Sequence, residues 1–209
     1  IFGGSGENVL YGDSDGGEGG ADSIVGGGSA DLIYADGPEG HSDSIDGGAG
    51  DDVIFADPIQ GAEGGNDSVI GGLGDDLIDG GLFKDTLIAG DGADVVVGGG
   101  EADSMVGGIG EDLFISGSLA ASFYASNQQG IREVAQQWRT SDPVATRIAY
   151  LTGTPGGIIS PAFVLTPGVA VLSDSAVDSV IADDDSEVDW ILASVEDDID
   201  STLVDVISL

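Results

Sequence analysis

The sequence predicts an all-β fold in which short strands stack in successive coils, and three observations support this. Gly and acidic residues dominate, with 38 Gly and 39 Asp or Glu among 209 residues. From residue 3 to residue 115, Gly-rich turns alternate with apolar tripeptides in a repeat that is nine residues long in most units. The middle residue of every tripeptide is apolar. Repetition at a fixed short period is typical of a solenoid.

The segments "GGAGDDVIF" and "GGLGDDLID" set the frame of the repeat. In this frame eleven units have an apolar residue at position eight, which we expect to point into a narrow core because alternate residues of a strand face the same side. The position-eight residues are Leu10, Ile24, Ile33, Ile45, Ile54, Val69, Ile78, Leu87, Val96, Met105 and Phe114.

Position six carries an acidic residue in ten units and Asn in the first. Parallel strands lie about 4.8 Å apart, so carboxylates of neighbouring turns would repel each other by roughly 1 to 3 kcal/mol per contact. Calcium prefers six to eight oxygen ligands, and Gly lets carbonyl oxygens approach an ion. The alternative, that these Asp residues only cap turns, would require neither the paired glycines nor the phase. The pattern therefore predicts calcium between successive turns.

These units resemble the RTX, or hemolysin-type calcium-binding, family, whose signature is GGxGxDxUx with U a large aliphatic residue. The resemblance covers residues 3 to 115. It implies a right-handed parallel β-roll in which six residues form a turn and three form a strand, with two such units per coil and ions between turns. It also implies a secreted protein, extracellular or at the cell surface.

A coil of two units places odd-numbered units on one edge, the odd edge, and even-numbered units on the other, the even edge. Six odd turns leave five gaps and five even turns leave four, so we expect five to nine calcium ions. They would lower the formal charge from −35 to −25 or −17. The candidate ligands at position six are Asn8, Asp31, Asp52, Asp76, Asp94 and Asp112 on the odd edge, and Asp22, Asp43, Asp67, Asp85 and Asp103 on the even edge.

The odd edge is the stronger candidate because its turns follow the consensus and because Asp51 and Asp75 add acidity at position five. The neutral Asn8 weakens its first gap. On the even edge, Phe83 and Lys84 precede Asp85 and disfavour an ion there. Three steps longer than nine residues all precede even turns, so we expect the insertions to bulge from that edge alone.

Position seven distinguishes the two sheets. It is Val or Leu in all odd units and Ser or Thr in all even units. The odd sheet therefore has an apolar outer face, which is abnormal in a lone soluble protein, and we predict that another part of the chain or a partner covers it.

The repeat domain is predicted to span residues 1–117, followed by a helical insert and a β capping region at 118–209. Two amphipathic helices are predicted, one with Ile131, Val134, Ala135 and Trp138 on one face, and one with Ser141 as its N-cap. Three of the four basic residues, Arg132, Arg139 and Arg147, lie on them, which favours docking on the acidic roll. A hairpin is predicted around Pro167. Degenerate repeats follow it, and their residues at positions six and eight are Asp178 and Val180, Asp189 and Ile191, Asp197 and Ile199, and Asp205 and Ile207.

Charge and residue types exclude several functions. A net charge of −35 repels nucleic acids and anionic membranes, and no apolar run is long enough to span a bilayer. The chain has no Cys and a single His, His41, so a catalytic triad or a HExxH zinc site is not expected. We therefore expect no enzyme activity.

Two hypotheses remain. The first is an extracellular structural protein that folds on binding calcium and assembles head-to-tail with copies of itself, through the unpaired strands at the ends of the roll. The second is a calcium-responsive secretion and folding module that follows an upstream domain in a larger RTX enzyme, toxin or adhesin. In both, ion binding and folding are one event.

Overall fold

The computed structural model describes residues 1–13, 19–37, 40–57, 63–153, 165, 171–172, 177–181, 189–193, 198–200 and 204–208. Two eight-stranded parallel sheets dominate it, and the predicted parallel β-roll is confirmed. The even sheet contains, in spatial order, β1 (Phe2–Gly4), β3 (Ser23–Gly27), β5 (Ser44–Ala49), β7 (Ser68–Leu73), β9 (Thr86–Asp91), β11 (Ser104–Ile109), β15 (Ser179–Ile181) and β17 (Asp198–Asp200).

The odd sheet lies on the other side of the core. Its strands are also parallel to their neighbours, so the chain alternates between the two sheets once per unit. From one end to the other it contains β2 (Val9–Tyr11), β4 (Leu32–Tyr34), β6 (Val53–Phe55), β8 (Leu77–Gly81), β10 (Val95–Gly99), β12 (Leu113–Ile115), β16 (Asp189–Ala193) and β18 (Val204–Ser208).

The position-eight side chains form the core between the sheets, as predicted. From Ile24 to Phe114 all of them are buried, and Leu10 packs against this cluster from the first coil. The strand registers keep them in line: Ile54 pairs with Ile78, and Val69 with Leu87. Because burial removes a whole apolar side chain from water, each of them stabilises the roll by about 1.5 to 3 kcal/mol.

The insertions lie on the even edge, as predicted. The three long connections run from β2 to β3, from β4 to β5 and from β6 to β7, and all three leave the odd sheet for the even sheet. The turns begin earlier than the repeat alignment suggested, because Asp13 and Asp36 donate backbone N–H bonds to Ala35 and Ala56 of the following coil. The extra residues therefore follow the first two residues of each turn.

Helices cover the apolar outer face of the odd sheet. A 3-10 turn (Ala121–Phe123) leads into α1 (Ala125–Trp138), and α2 (Val144–Leu151) follows. The predicted face of α1 is buried, and α2 contributes Leu151. The prediction of Ser141 as an N-cap is wrong, because α2 begins after Pro143 and has no side-chain cap. Neither helix has the length and apolar character needed to cross a membrane.

Helices and sheet share one cluster of buried side chains. It extends over the middle and last coils of the odd sheet, where positions seven and nine are shielded by α1. Its fully buried members from the repeats are Phe55, Leu77, Val95, Val97, Leu113 and Ile115. In the first coil, Val9 and Tyr11 remain 55% and 60% exposed, so the cover ends before the roll does.

The degenerate repeats extend both sheets. Met105 pairs with Val180, Phe114 with Ile191, and Val180 with Ile199, as predicted. The last step is wrong by one residue, because Ile191 pairs with Val206 and not with Ile207. A short antiparallel pair, β13 (Ser118–Leu119) with β14 (Val171–Leu172), lies beside the roll. The hairpin predicted around Pro167 lies outside the described residues.

Candidate metal-binding edges

The position-six carboxylates form one column along each edge of the roll. Each follows a turn and precedes a strand, so the parallel register places successive members one coil apart. Asp22, in the first even turn, is half-buried, and so is Asn8 at the start of the odd column. The others are at most 4% exposed: Asp31, Asp52, Asp76, Asp94 and Asp112 on the odd edge, and Asp43, Asp67, Asp85 and Asp103 on the even edge.

In both columns, one oxygen of each carboxylate links neighbouring coils. Asp52 Oδ1 accepts the backbone N–H of Asp31 at 2.7 Å, and Asp76 Oδ1 accepts that of Asp52 at 2.8 Å. The even edge repeats the pattern, with Asp67 Oδ1 accepting the N–H of Asp43 at 2.7 Å. The bond continues into the degenerate repeats, where Asp189 accepts the N–H of Asp112. Each Asp therefore fixes the register of the coil before its own.

The second oxygen, Oδ2, is buried and makes no hydrogen bond to the described residues. An unpaired buried polar atom is costly, and a column of them indicates that something outside the chain satisfies them. This holds at Asp31, Asp43, Asp52, Asp67, Asp76, Asp85 and Asp94.

Backbone carbonyls approach the same region. A Cβ at Gly47 would lie 2.5 Å from Asp52 Oδ2 and 2.6 Å from the carbonyl oxygen of Gly71 in the next coil. Gly48 has φ +103° and comes close to the carbonyl of Gly27 in the preceding coil. A side chain there would be strained and would block the approach. Carboxylate and carbonyl oxygens from two coils thus converge, as a hard cation requires.

Burial raises the pKa of six of these carboxyls. It is the largest cause at each of the six, opposed by the backbone N–H bond and supported by the charge of neighbouring Asp residues. Without a cation, those with the highest pKa would retain protons at neutral pH. The pKa rises to about 6 at Asp52 and Asp67, about 7 at Asp43 and Asp94, about 8 at Asp76 and about 9 at Asp85.

The odd edge carries a second row of acids at position five. Asp51 Oδ1 accepts the backbone N–H of Asp75 at 3.0 Å, and Asp75 Oδ1 accepts that of Ala93 at 2.9 Å. These acids cap the following turn and increase the negative charge beside the buried column.

The helices place arginines along the odd edge. Arg147 forms an ion pair with Glu111, and its guanidinium lies 4.6 Å from the ring centroid of Trp138. Trp138 Nε1 donates a hydrogen bond to the carbonyl of Glu111 at 2.6 Å. Nearer the first coil, Arg132 lines a surface cavity of about 400 Å³ with Asp31 and Asp51 among its other walls. The predicted docking of the helices on the acidic roll is confirmed.

The even edge has the same column on less regular turns. Phe83 has φ +69°, and the backbone N–H of Lys84 is bonded to Asn66 Oδ1 at 3.1 Å. Asp85 nevertheless adopts the arrangement of the odd-edge residues, with Oδ1 accepting the N–H of Asp67 and Oδ2 buried. The sequence-based distinction between Asp85 and the other even positions is therefore not visible in its backbone bonds.

Sequence reasoning missed two groups of acids. Asp13, Asp36 and Asp57 occupy the second position of the three lengthened even turns, which is Gly81 in the next even turn. The insertions prevented the alignment of these three residues with the repeat.

The second group is Asp79 alone, at position nine of its repeat unit in β8. It is 5% exposed, beside the apolar cluster under α1, and forms a hydrogen bond with the Tyr124 hydroxyl. A partner 45 positions away leaves no local signal.

Comparison with known families gives a match to the RTX calcium-binding nonapeptide repeat, a model of four repeat copies. It covers residues 1–16, 17–37, 40–58, 62–87 and 79–114, which is more than half of the chain. No curated protein and no solved structure matches the chain. The matched residues include both columns of position-six carboxylates as far as Asp112.

Proposed function

Because the chain belongs to the RTX calcium-binding nonapeptide-repeat family, we propose that it is a secreted structural protein whose roll closes when calcium binds outside the cell. The β-roll is a calcium-binding structural domain. The observation that carries the proposal is the row of buried Oδ2 atoms without a hydrogen-bond partner at seven position-six Asp residues.

The physical argument is one of charge. Closing the roll buries acidic side chains one coil apart, in a chain whose formal charge is already −35. With no cation present, the carboxyls must either take up protons or repel one another. Calcium supplies the missing partner for Oδ2 and offsets two charges per ion, so binding and folding become one event. Asp31, Asp52, Asp76 and Asp94 would hold the ions on the odd edge.

Small-angle scattering and circular dichroism on the full chain test this, with calcium, with magnesium and with chelator. We expect a compact particle with a radius of gyration of about 17 Å in calcium and an expanded chain approaching about 50 Å in chelator. Magnesium should not replace calcium because it demands a tighter octahedral site. A chelated chain that keeps its radius and its sheet spectrum would contradict the proposal.

We further propose that the protein associates head-to-tail with copies of itself. The outermost strands β1 and β2 carry an exposed apolar group, in which Phe2 is 83% and Tyr11 60% exposed. The outer edge of such an end strand can accept a further strand, and a contact between two different ends propagates into a filament.

Sedimentation velocity and negative-stain imaging in calcium test the association. The double variant Phe2→Ser, Tyr11→Ser should remain monomeric at concentrations where the wild type assembles. Leu73→Ser is the matched control, because Leu73 is 54% exposed on the odd edge, away from the end strands. Compact wild-type monomers at all concentrations would contradict self-assembly and favour the alternative, a secretion and folding module attached to an upstream domain.

A further inference from the structure

The even edge contains a second group of metal-ligating side chains, separate from the position-six column. In the three lengthened turns, Asp13, Asp36 and Asp57 take the position that Gly81 occupies in the next coil. Backbone bonds keep the first two in consecutive coils, because the Asp13 N–H donates to Ala35 and the Asp36 N–H to Ala56. The insertions therefore add carboxylates at a point where the regular repeat has none.

The chain's single histidine joins this group. One ligand atom each from Asp13, Asp36 and His41 lie within 4.8 Å of one another. The backbone N–H of His41 donates to Asp36 Oδ2 at 3.1 Å, which holds the loop beside the carboxylate. Asp57, in contact with Asp36 from the next coil, is itself held by the N–H groups of Gly65 and Leu82, so its position is fixed by backbone.

A ligand is indicated by an oxygen that the chain leaves unsatisfied. Asp13 Oδ2 is shielded from solvent and has no hydrogen-bond partner in the described part of the chain. No arginine or lysine contributes to the electrostatics of Asp36. Burial raises its pKa most, the charge of Asp13 raises it further, and His41 acts in the opposite direction. A cation between the two carboxylates would satisfy the oxygen and the charge together.

We propose that Asp13, Asp36 and His41 bind a borderline divalent transition-metal ion of the Zn²⁺ or Co²⁺ type. The imidazole is the reason for this choice, since nitrogen ligands suit zinc and cobalt, whereas calcium prefers oxygen alone. Three protein ligands leave a coordination position for water. The ion would join the first two lengthened turns, at a place that shares no ligand with the position-six column.

The test uses the full chain in saturating calcium. Titration with Zn²⁺ followed by calorimetry should give one tight equivalent, and the imidazole resonances of the only histidine should shift in step with it. Co²⁺ should give visible absorption bands of a site with fewer than six ligands. Zinc that binds without perturbing the His41 resonances, or that calcium displaces completely, would overturn the proposal, and neither result depends on a variant folding.

Variants then identify the ligands. His41→Ala and Asp36→Asn should each weaken Zn²⁺ binding by about tenfold to a hundredfold, and His41→Ala should leave calcium-dependent folding unchanged. Asp46→Asn is the matched control, because Asp46 is exposed on the outer face of the even sheet and its loss removes the same charge. Equal zinc affinity in His41→Ala and Asp46→Asn would place the ion elsewhere and refute the assignment.

Discussion

The odd and even edges carry the same carboxylate column on different turns. On the odd edge the turns stay six residues long, and Gly48 and Gly72 adopt positive φ beside the carbonyl of the preceding coil. On the even edge the first three turns are lengthened and have Asp at that position. Yet Asp52 and Asp67 both accept the N–H of the coil before and both bury Oδ2. The strand register therefore sets the column, whereas the turn sequence sets which further acids lie beside it: Asp51 and Asp75 on the odd edge, and Asp13, Asp36 and Asp57 on the even edge.

The largest expected effect comes from removing carboxylates on one edge at a time. Asp52→Asn with Asp76→Asn should raise the calcium concentration for half-folding by about tenfold or more, which costs about 1.4 kcal/mol for each ion that binds on folding and, summed over several ions, more than the loss of one buried side chain. The matched even-edge pair, Asp43→Asn with Asp67→Asn, loses the same charge and should have a smaller effect because the even edge lacks the second row of acids that Asp51 and Asp75 form on the odd edge. Calcium titrations followed by circular dichroism measure both. Equal midpoints for the two pairs and the wild type would show that the odd edge is not the main site.

The next effect concerns the helices, which rest on the odd edge through Trp138 and Glu111. Trp138→Ala should destabilise the docked helices by about 3 to 5 kcal/mol, the usual cost for a buried tryptophan. Trypsin should then cut faster at Arg132 and Arg139 in calcium. Gln136→Ala, on the exposed side of α1, should leave the rate unchanged. If trypsin treats both variants alike, the packing of α1 on the roll is not what protects these sites.

A smaller effect is expected where the odd-edge turns need glycine. Gly72 has φ +119°, and a Cβ there would lie 2.1 Å from the carbonyl oxygen of Gly48. Gly72→Ala should cost about 1 to 3 kcal/mol and lower the melting temperature by about 5 °C. Gly100→Ala should be nearly neutral, because the nearest atom to its Cβ would be 3.5 Å away. Equal melting temperatures would show that the coils can separate to admit a side chain.

The smallest effect is a pH response of the chelated chain. Burial raises the carboxyl pKa values from 3.8 to about 6 at Asp52 and about 9 at Asp85, so from the unfolded value of 3.8 up to these folded values the ion-free roll binds more protons than the unfolded chain. Its stability must then fall as pH rises through this window. In chelator, sheet content should increase when the pH is lowered from about 8 to about 5. Asp85→Asn should reduce this response more than Asp52→Asn, and a sheet signal that falls on acidification would contradict the sign.

Most of the roll could be predicted from the sequence because its rules are local and repeated. Position eight, the two edges, the side of the insertions and the buried face of α1 each follow from spacing alone. The last strand could not be placed, since Val206 and Ile207 are both apolar and the apolar pattern does not decide which of them pairs with Ile191. Ser141 failed as a cap because Pro143 fixes the start of α2.

The sequence indicated which carboxylates matter but not how their oxygens are used. The amino-acid sequence of a turn does not show that Asp76 Oδ1 accepts a hydrogen bond from the N–H of Asp52, 24 residues earlier, because this bond forms only once the coils are stacked. The same reason hid Asp36 and His41, whose proximity depends on where a lengthened turn begins and not on the repeat frame.

The aromatic side chains give the two ends of the roll separate optical signals. Tyr11, Tyr34 and Phe55 stack in consecutive coils with ring centroids 5.3 and 5.4 Å apart. Trp138 at the end of α1 is bonded to Glu111 of a later turn, and Trp190 lies in β16. Near-ultraviolet dichroism of the stacked tyrosines and tryptophan emission can thus be followed separately after rapid mixing with calcium. The order in which the two signals change would reveal which end of the solenoid folds first.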